Sequence, residues 1–168
     1  FHKIILEDYR YKGDAVYKSV KQDLKTYKES YKKIIDILAK NESILHISKD
    51  MGQLDFLMAL DSNDRKILTY LDDEHNNTIL KHSFITNRQQ NIKVFNTLDE
   101  ILMQNANAII VNLETINSNN LETILTSSYK FLIFIKESKS LVSRMNTLNF
   151  NTVFENETMT IIKPKSQI

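Results

Sequence analysis

Apolar residues recur along the first quarter of the chain at a helical period. Val16, Val20, Leu24, Tyr27, Tyr31, Ile34 and Leu38 follow one another at spacings of four, four, three, four, three and four. That stripe predicts one amphipathic helix of about six to seven turns. Its opposite face carries Lys18, Lys21, Lys25, Lys28, Lys32 and Lys33. A lysine face is ordinarily a solvated one, and it also suits an anionic membrane surface or an acidic partner. Before the helix, Phe1 to Tyr11 reads as a mixed apolar and charged lead-in ended by Gly13. Asp14 stands where its carboxylate can cap the helix start.

After Asn41-Glu42 the pattern changes to short apolar runs alternating with helical spacings. Ile44–Ile47, Lys66–Leu71, Ile92–Phe95, Ala108–Leu113 and Phe131–Ile135 read as five buried strands. Between them, helical spacing is expected through Leu54, Leu57 and Met58, through Ile79, Leu80 and Phe84, over Leu98–Met103, and over Leu121–Leu125. A last helix is marked by Leu141, Met145 and Leu148. Two closing strands, Thr152–Glu155 and Met159–Lys163, flank Asn156-Glu157 and form an expected antiparallel hairpin. Strands alternating with helices predict a Rossmann-like α/β fold, its mainly parallel sheet covered by helices on both faces. The expected division is an N-terminal helical extension over residues 1–41 and one α/β domain over residues 42–168.

Composition narrows the chemistry. The 168 residues carry a net charge of +1, which gives no overall pull toward nucleic acid. The charge is uneven, because residues 1–40 hold ten Lys/Arg against six Asp/Glu. Absence of cysteine excludes disulfides, thiolate metal sites and cysteine nucleophiles. No apolar run reaches the roughly twenty residues of a membrane-spanning helix. The start at Phe1 rather than Met reads as a piece of something longer, in a cytoplasmic setting. With only two glycines and one proline, the backbone has few places to adopt positive φ cheaply.

One of those glycines ends the most informative stretch, Ser-Ile-Leu-His-Ile-Ser-Lys-Asp-Met-Gly over residues 43–52. A first strand here runs into a polar turn and a helix, the place where nucleotide-binding α/β folds meet their ligand. The order of elements, this turn and the closing hairpin resemble the class I S-adenosylmethionine-dependent methyltransferase fold over about residues 42–165. In that family the first strand ends in an acid and the turn reads Gly-x-Gly-x-Gly. His46 holds the acidic place, and Ser48, Asp50 and Gly52 hold the three glycine places. The resemblance implies that backbone around Ser48–Gly52 cradles the methionine part of the cofactor. It also implies that Asp72, ending the second strand, accepts from the ribose hydroxyls. The same acid reads equally as the opening of a helix in Asp72-Asp73-Glu74. Asn96 or Asp99 stands where the family meets the adenine amine, Asn107 where it has an Asp, and Asn112-Leu113-Glu114 on the substrate side. The Asn-Pro-Pro-aromatic signature of amino-methylating enzymes on nucleic acid is absent.

The opening Phe-His-Lys-Ile-Ile-Leu-Glu-Asp-Tyr-Arg-Tyr-Lys-Gly resembles the lead-in to methyltransferase-like domains at the C-terminus of large bacterial membrane proteins. In those, a lipid-exporter-type transporter and an acyltransferase domain come first. The resemblance implies further domains in the chain and places the basic helix near the inner face of the membrane. Of the remaining chemistry, His75 and His82 share one expected helix face without carboxylates and read as surface histidines. His46 is either a base or a structural replacement. Two readings follow. One is an S-adenosylmethionine-dependent methyltransferase of a small or lipid-like substrate with a degenerate cofactor turn. The other is a non-catalytic relative kept as an interaction or structural module. The glycine-poor turn argues against a further reading, a different nucleotide binder.

Overall fold

The computed structural model describes residues 2–73, 91–135 and 150–165. The lead-in is itself helical. Helix α1 (His2–Arg10) buries Ile5 and Tyr9, one turn apart. Gly13, at φ 111, turns the chain into α2 (Asp14–Thr26). Asp14 is the first helical residue there and makes no side-chain capping bond, so its charge suits the helix start through the dipole alone.

The expected single helix is broken once. Tyr27, at φ −100 and ψ 14, separates α2 from α3 (Lys28–Ile37). The hydrogen-bond ladder continues across it, from Tyr27 N–H to Asp23 and from Tyr31 N–H to Tyr27. The apolar stripe therefore survives the kink, and Val20, Leu24, Tyr31, Ile34 and Leu38 are all buried.

The rest alternates as expected: β1 (Ser43–Ser48), α4 (Gln53–Asp61), β2 (Lys66–Leu71), β3 (Ile92–Val94), α5 (Leu98–Leu102), β4 (Ala108–Asn112), α6 (Ser118–Leu125) and β5 (Phe131–Ile135). Leu113 leaves β4 and opens a 3₁₀ turn over Leu113–Thr115. The hairpin of β6 (Phe150–Glu155) and β7 (Met159–Pro164) closes the sheet. The expected helices through Ile79, Leu80 and Phe84 and through Leu141, Met145 and Leu148 lie outside the described residues, as do His75 and His82.

The seven strands lie in the order β3-β2-β1-β4-β5-β7-β6. The first five are parallel, and β7 inserts antiparallel between β5 and β6. Each central strand is apolar on both sides because helices cover both faces. Ile44, Ile67, Ala108, Ile110 and Ile133 pack with α1–α4. Leu45, Ile47, Leu68, Ile109 and Phe134 pack with α5 and α6. Each such buried aliphatic side chain contributes roughly 1.5–3 kcal/mol of transfer free energy. Helix α4 is buried nearly all round, which its run of apolar residues requires.

One charge sits deep in this layer. The Arg65 side chain, 1 % exposed, donates to the carbonyls of Ala39 at 3.1 Å, Leu38 at 3.1 Å and Met58 at 3.1 Å. Its Nη1 also lies 2.7 Å from Asp61 Oδ2. The planar guanidinium thereby adds hydrogen bonds to carbonyls at the C-terminal ends of both α3 and α4.

Candidate functional site

The strand order reverses between β1 and β4, and ligands of open α/β sheets bind in the crevice at the carboxyl ends of strands at such a reversal. A pocket of about 110 Å³ lies at that point. The β1 turn supplies His46, Ser48, Lys49 and Asp50, while β4 supplies Asn112 and β5 Ile135. Helices α2 and α3 roof it with Asp23, Tyr27 and Tyr31.

The turn is held by its own side chains. Asp50 Oδ1 accepts from the Ser48 hydroxyl at 2.8 Å and from the Gly52 N–H at 2.8 Å. The Asp50 N–H in turn donates to Ser48 Oγ at 3.2 Å. The Met51 N–H donates to Gln53 Oε1 at 2.9 Å, and the Tyr9 hydroxyl of α1 donates to the Met51 carbonyl. Gly52 takes φ 87 as it hands the chain to α4, a left-handed angle that favours glycine. Gln53 Nε2 reaches up to Tyr31 Oη at 3.2 Å and to Asp23 Oδ2 at 3.3 Å, which ties the turn to its roof.

Behind the turn lies a buried charge cluster. His46 sits on β1 beside Thr69 of β2, and both side chains face Asp55 on α4. His46 Nδ1 is 2.9 Å from Asp55 Oδ1, and the Thr69 hydroxyl donates to Asp55 Oδ2 at 3.2 Å. On the other side of the ring, His46 Nε2 lies 3.9 Å from Asp50 Oδ2. Burial by itself depresses the His46 imidazole, but the charge and hydrogen bond of Asp55, with Asp50 behind them, push it up to about 9. Burial raises the Asp50 carboxyl, against the lowering effect of His46 and of its hydrogen bonds from Gly52 and Ser48. At neutral pH His46 is therefore an imidazolium gripping Asp55, which is the structural role and not the role of a base.

Of the residues singled out from the sequence, His46, Ser48, Asp50 and Asn112 surround this one pocket. Asn112 is 6 % exposed and also accepts from the Glu114 N–H at 2.9 Å. Asp72 lies at the same edge, its N–H donating to the Ser48 carbonyl at 2.9 Å, with an exposed side chain outside the pocket lining. Asn96 and Asp99 follow β3 and are exposed. Asn107 precedes β4, at the opposite end of the sheet.

Asp55, Thr69 and the roof residues Asp23, Tyr27 and Tyr31 did not stand out as site residues in the sequence. Asp55 had a signal: it is a lone carboxylate inside the apolar run Leu54–Leu60 of a buried helix, where it requires a partner.

No family model matches the chain, and no curated protein matches it. Solved structures do. A methyltransferase of Geobacter sulfurreducens aligns at a TM-score of 0.64 over 92% of this chain and 90% of its own, at 14% identity. A SAM-dependent methyltransferase of Aquifex aeolicus aligns at 0.60 over 81% and 87%, at 10% identity. A dimethyladenosine transferase of Plasmodium falciparum aligns at 0.61 over 82% and 62%, at 16% identity. The chain has the fold of these S-adenosylmethionine-dependent methyltransferases.

Proposed function

We propose that this domain keeps the methyltransferase fold as a non-catalytic interaction module. The observation that carries the reading is the place of Asp50. Its carboxylate takes the Ser48 hydroxyl and the Gly52 N–H. A ligand at the turn would need those two donors. An acid at the end of β1 would attract the ammonium of the methionine part, whereas His46 in that place offers no carboxylate to it. The pocket of about 110 Å³ is also well below the roughly 300–1,000 Å³ of ordinary cofactor sites. The residues of the turn therefore do not fit the methionine half of S-adenosylmethionine. Calorimetric titration of the natural chain with S-adenosylmethionine and S-adenosylhomocysteine tests the reading. No heat at millimolar ligand is expected, and saturable binding overturns it.

A second reading, a methyltransferase of a small or lipid-like substrate, is favoured by Asp72. That exposed carboxylate ends β2 beside the turn and can accept from two vicinal hydroxyls. Under this reading S-adenosylmethionine would be held through its nucleoside half, and Asp72→Ala would weaken it.

The module reading extends to a partner surface and a location. Lys18, Lys21 and Lys25 on α2 and Lys28 and Lys32 on α3 are exposed. They form a basic face suited to an anionic membrane surface at the cytoplasmic side, next to other domains of a longer chain. Among the described residues no helix is long and apolar enough to cross a membrane.

A further inference from the structure

We propose that a second cleft, between the helix break at Tyr27 and the β6–β7 turn, binds a zwitterionic phosphate ester, a phosphate joined to a primary ammonium as in a phosphoethanolamine group. The cleft measures about 430 Å³, within the range of ordinary ligand sites. Lys25 and Thr26 end α2 on one side of Tyr27, and Lys28 and Glu29 open α3 on the other. The hairpin turn supplies Glu157. Every described residue that lines the cleft is polar or charged. It therefore suits a ligand dense in charge and hydrogen-bonding groups, and not a ring or a hydrocarbon chain.

Its floor is held by a closed set of hydrogen bonds. Ser30, 1 % exposed, shares a bond of 2.7 Å with the Thr158 hydroxyl and accepts from Asn156 Nδ2 at 3.0 Å. Asn156 Oδ1 accepts from the N–H groups of Thr158 and Met159, both at 2.9 Å, which fixes the amide with its nitrogen toward Ser30. The second N–H of that amide has no partner among the described residues and is left for a ligand. The charges are left over too. Lys25 and Glu29 stand four apart, a spacing that pairs charges on a continuous helix, but the break at Tyr27 falls between them. Among the described residues neither these two nor Lys28 and Glu157 form an ion pair. Two lysines and two glutamates give the cleft no net charge. A simple anion would meet the carboxylates, and a simple cation the lysines. A zwitterion satisfies both, its phosphate on Lys25 and Lys28 and its ammonium on Glu29 and Glu157. Lysine acts on phosphate as a point charge, whereas a carboxylate end would call for the fork of an arginine, and no described arginine lines the cleft.

The site rests neither on the module reading nor on the basic face as a membrane surface, because a soluble ester tests it alone. The natural chain is titrated calorimetrically with glycerophosphoethanolamine at constant ionic strength. Glycerophosphoglycerol, which keeps the phosphodiester without the ammonium, and ethanolamine, which keeps only the ammonium, are titrated beside it. The zwitterion is expected to saturate and to bind about threefold or more tightly than either comparison compound. Glu157→Gln and Lys28→Gln, both at exposed positions, are each expected to weaken it about two- to fivefold. Glu157→Gln leaves the lysine row intact, so it separates this site from a general attraction of anions to α2 and α3. Equal affinity for the zwitterion and glycerophosphoglycerol, no saturation, or unchanged affinity in Glu157→Gln overturns the proposal. Sedimentation with phosphatidylcholine vesicles, with and without phosphatidylethanolamine, then assigns the source of the group. A gain from phosphatidylethanolamine that Glu157→Gln abolishes assigns a lipid head group. No such gain, with the soluble ester bound, assigns a free ester.

Discussion

His46 Nδ1 lies 2.9 Å from Asp55 Oδ1, with both side chains out of solvent, so an ion pair fastens the end of β1 to α4 directly beneath the pocket. Removing one partner strands the other charge in the core. Asp55→Ala is expected to cost about 3–5 kcal/mol in urea unfolding followed by circular dichroism. Replacing both, as His46→Leu with Asp55→Leu, is expected to come back to within about 1–2 kcal/mol of the parent, because no buried charge of the pair is left. A single Asp55→Ala variant as stable as the parent would contradict the pairing.

The same pair sets a pH dependence. The folded protein keeps the His46 proton up to about 9, whereas an unfolded histidine sheds it near its ordinary 6.5. Between those values the native state binds more protons than the unfolded one, so stability falls as pH rises. The His46 contribution is fully present below 6.5 and is lost through about 9. Asp50, also raised, works in the same direction from lower pH. Thermal midpoints measured from pH 6 to pH 9.5 should decline. The decline should flatten in the double Leu variant.

Arg65 carries a prediction away from the site. Its guanidinium meets carbonyls of Leu38, Ala39 and Met58 as well as Asp61. Arg65→Ala should cost about 3–5 kcal/mol of unfolding free energy. Arg65→Lys should recover less than half of that, because an ammonium cannot span two helix ends with one planar fork. Full recovery by lysine would show that charge alone matters there.

For the basic face, sedimentation with vesicles containing anionic phospholipid is the check. Reversing Lys21, Lys25 and Lys28 to Glu should abolish binding, since each lysine near such a surface contributes about 1 kcal/mol. Binding that survives the reversal would remove the membrane from the account.

The alternation of apolar runs was enough to expect the five parallel strands and the hairpin, because every central strand is buried on both faces and reads as an uninterrupted run. The bounds of Lys66–Leu71 and Phe131–Ile135 agree to the residue. The kink at Tyr27 was not legible. The stripe passes through it unchanged, and a single off-helix ψ leaves no mark on periodicity. The helical lead-in was missed because, among its described residues, only Ile5 and Tyr9 are fully buried, too few for a stripe. At the site, the turn could be found from its glycine and its place after the first strand. What fills it could not, since His46 is held by Asp55, Asp55 by Thr69, and the turn at Met51 by Tyr9. Those residues come from three other elements.

The central claim is that side chains of the turn, not the fold, close the methionine half of the cofactor site. It is tested most directly by titrating S-adenosylmethionine into the natural chain and into a variant carrying His46→Glu, Ser48→Gly and Asp50→Gly. Asp55→Asn is included so that the new Glu has no carboxylate beside it. The account predicts no binding by the natural chain and saturable binding by the variant, with dissociation in about the micromolar to millimolar range. Binding of equal strength by both proteins would contradict it.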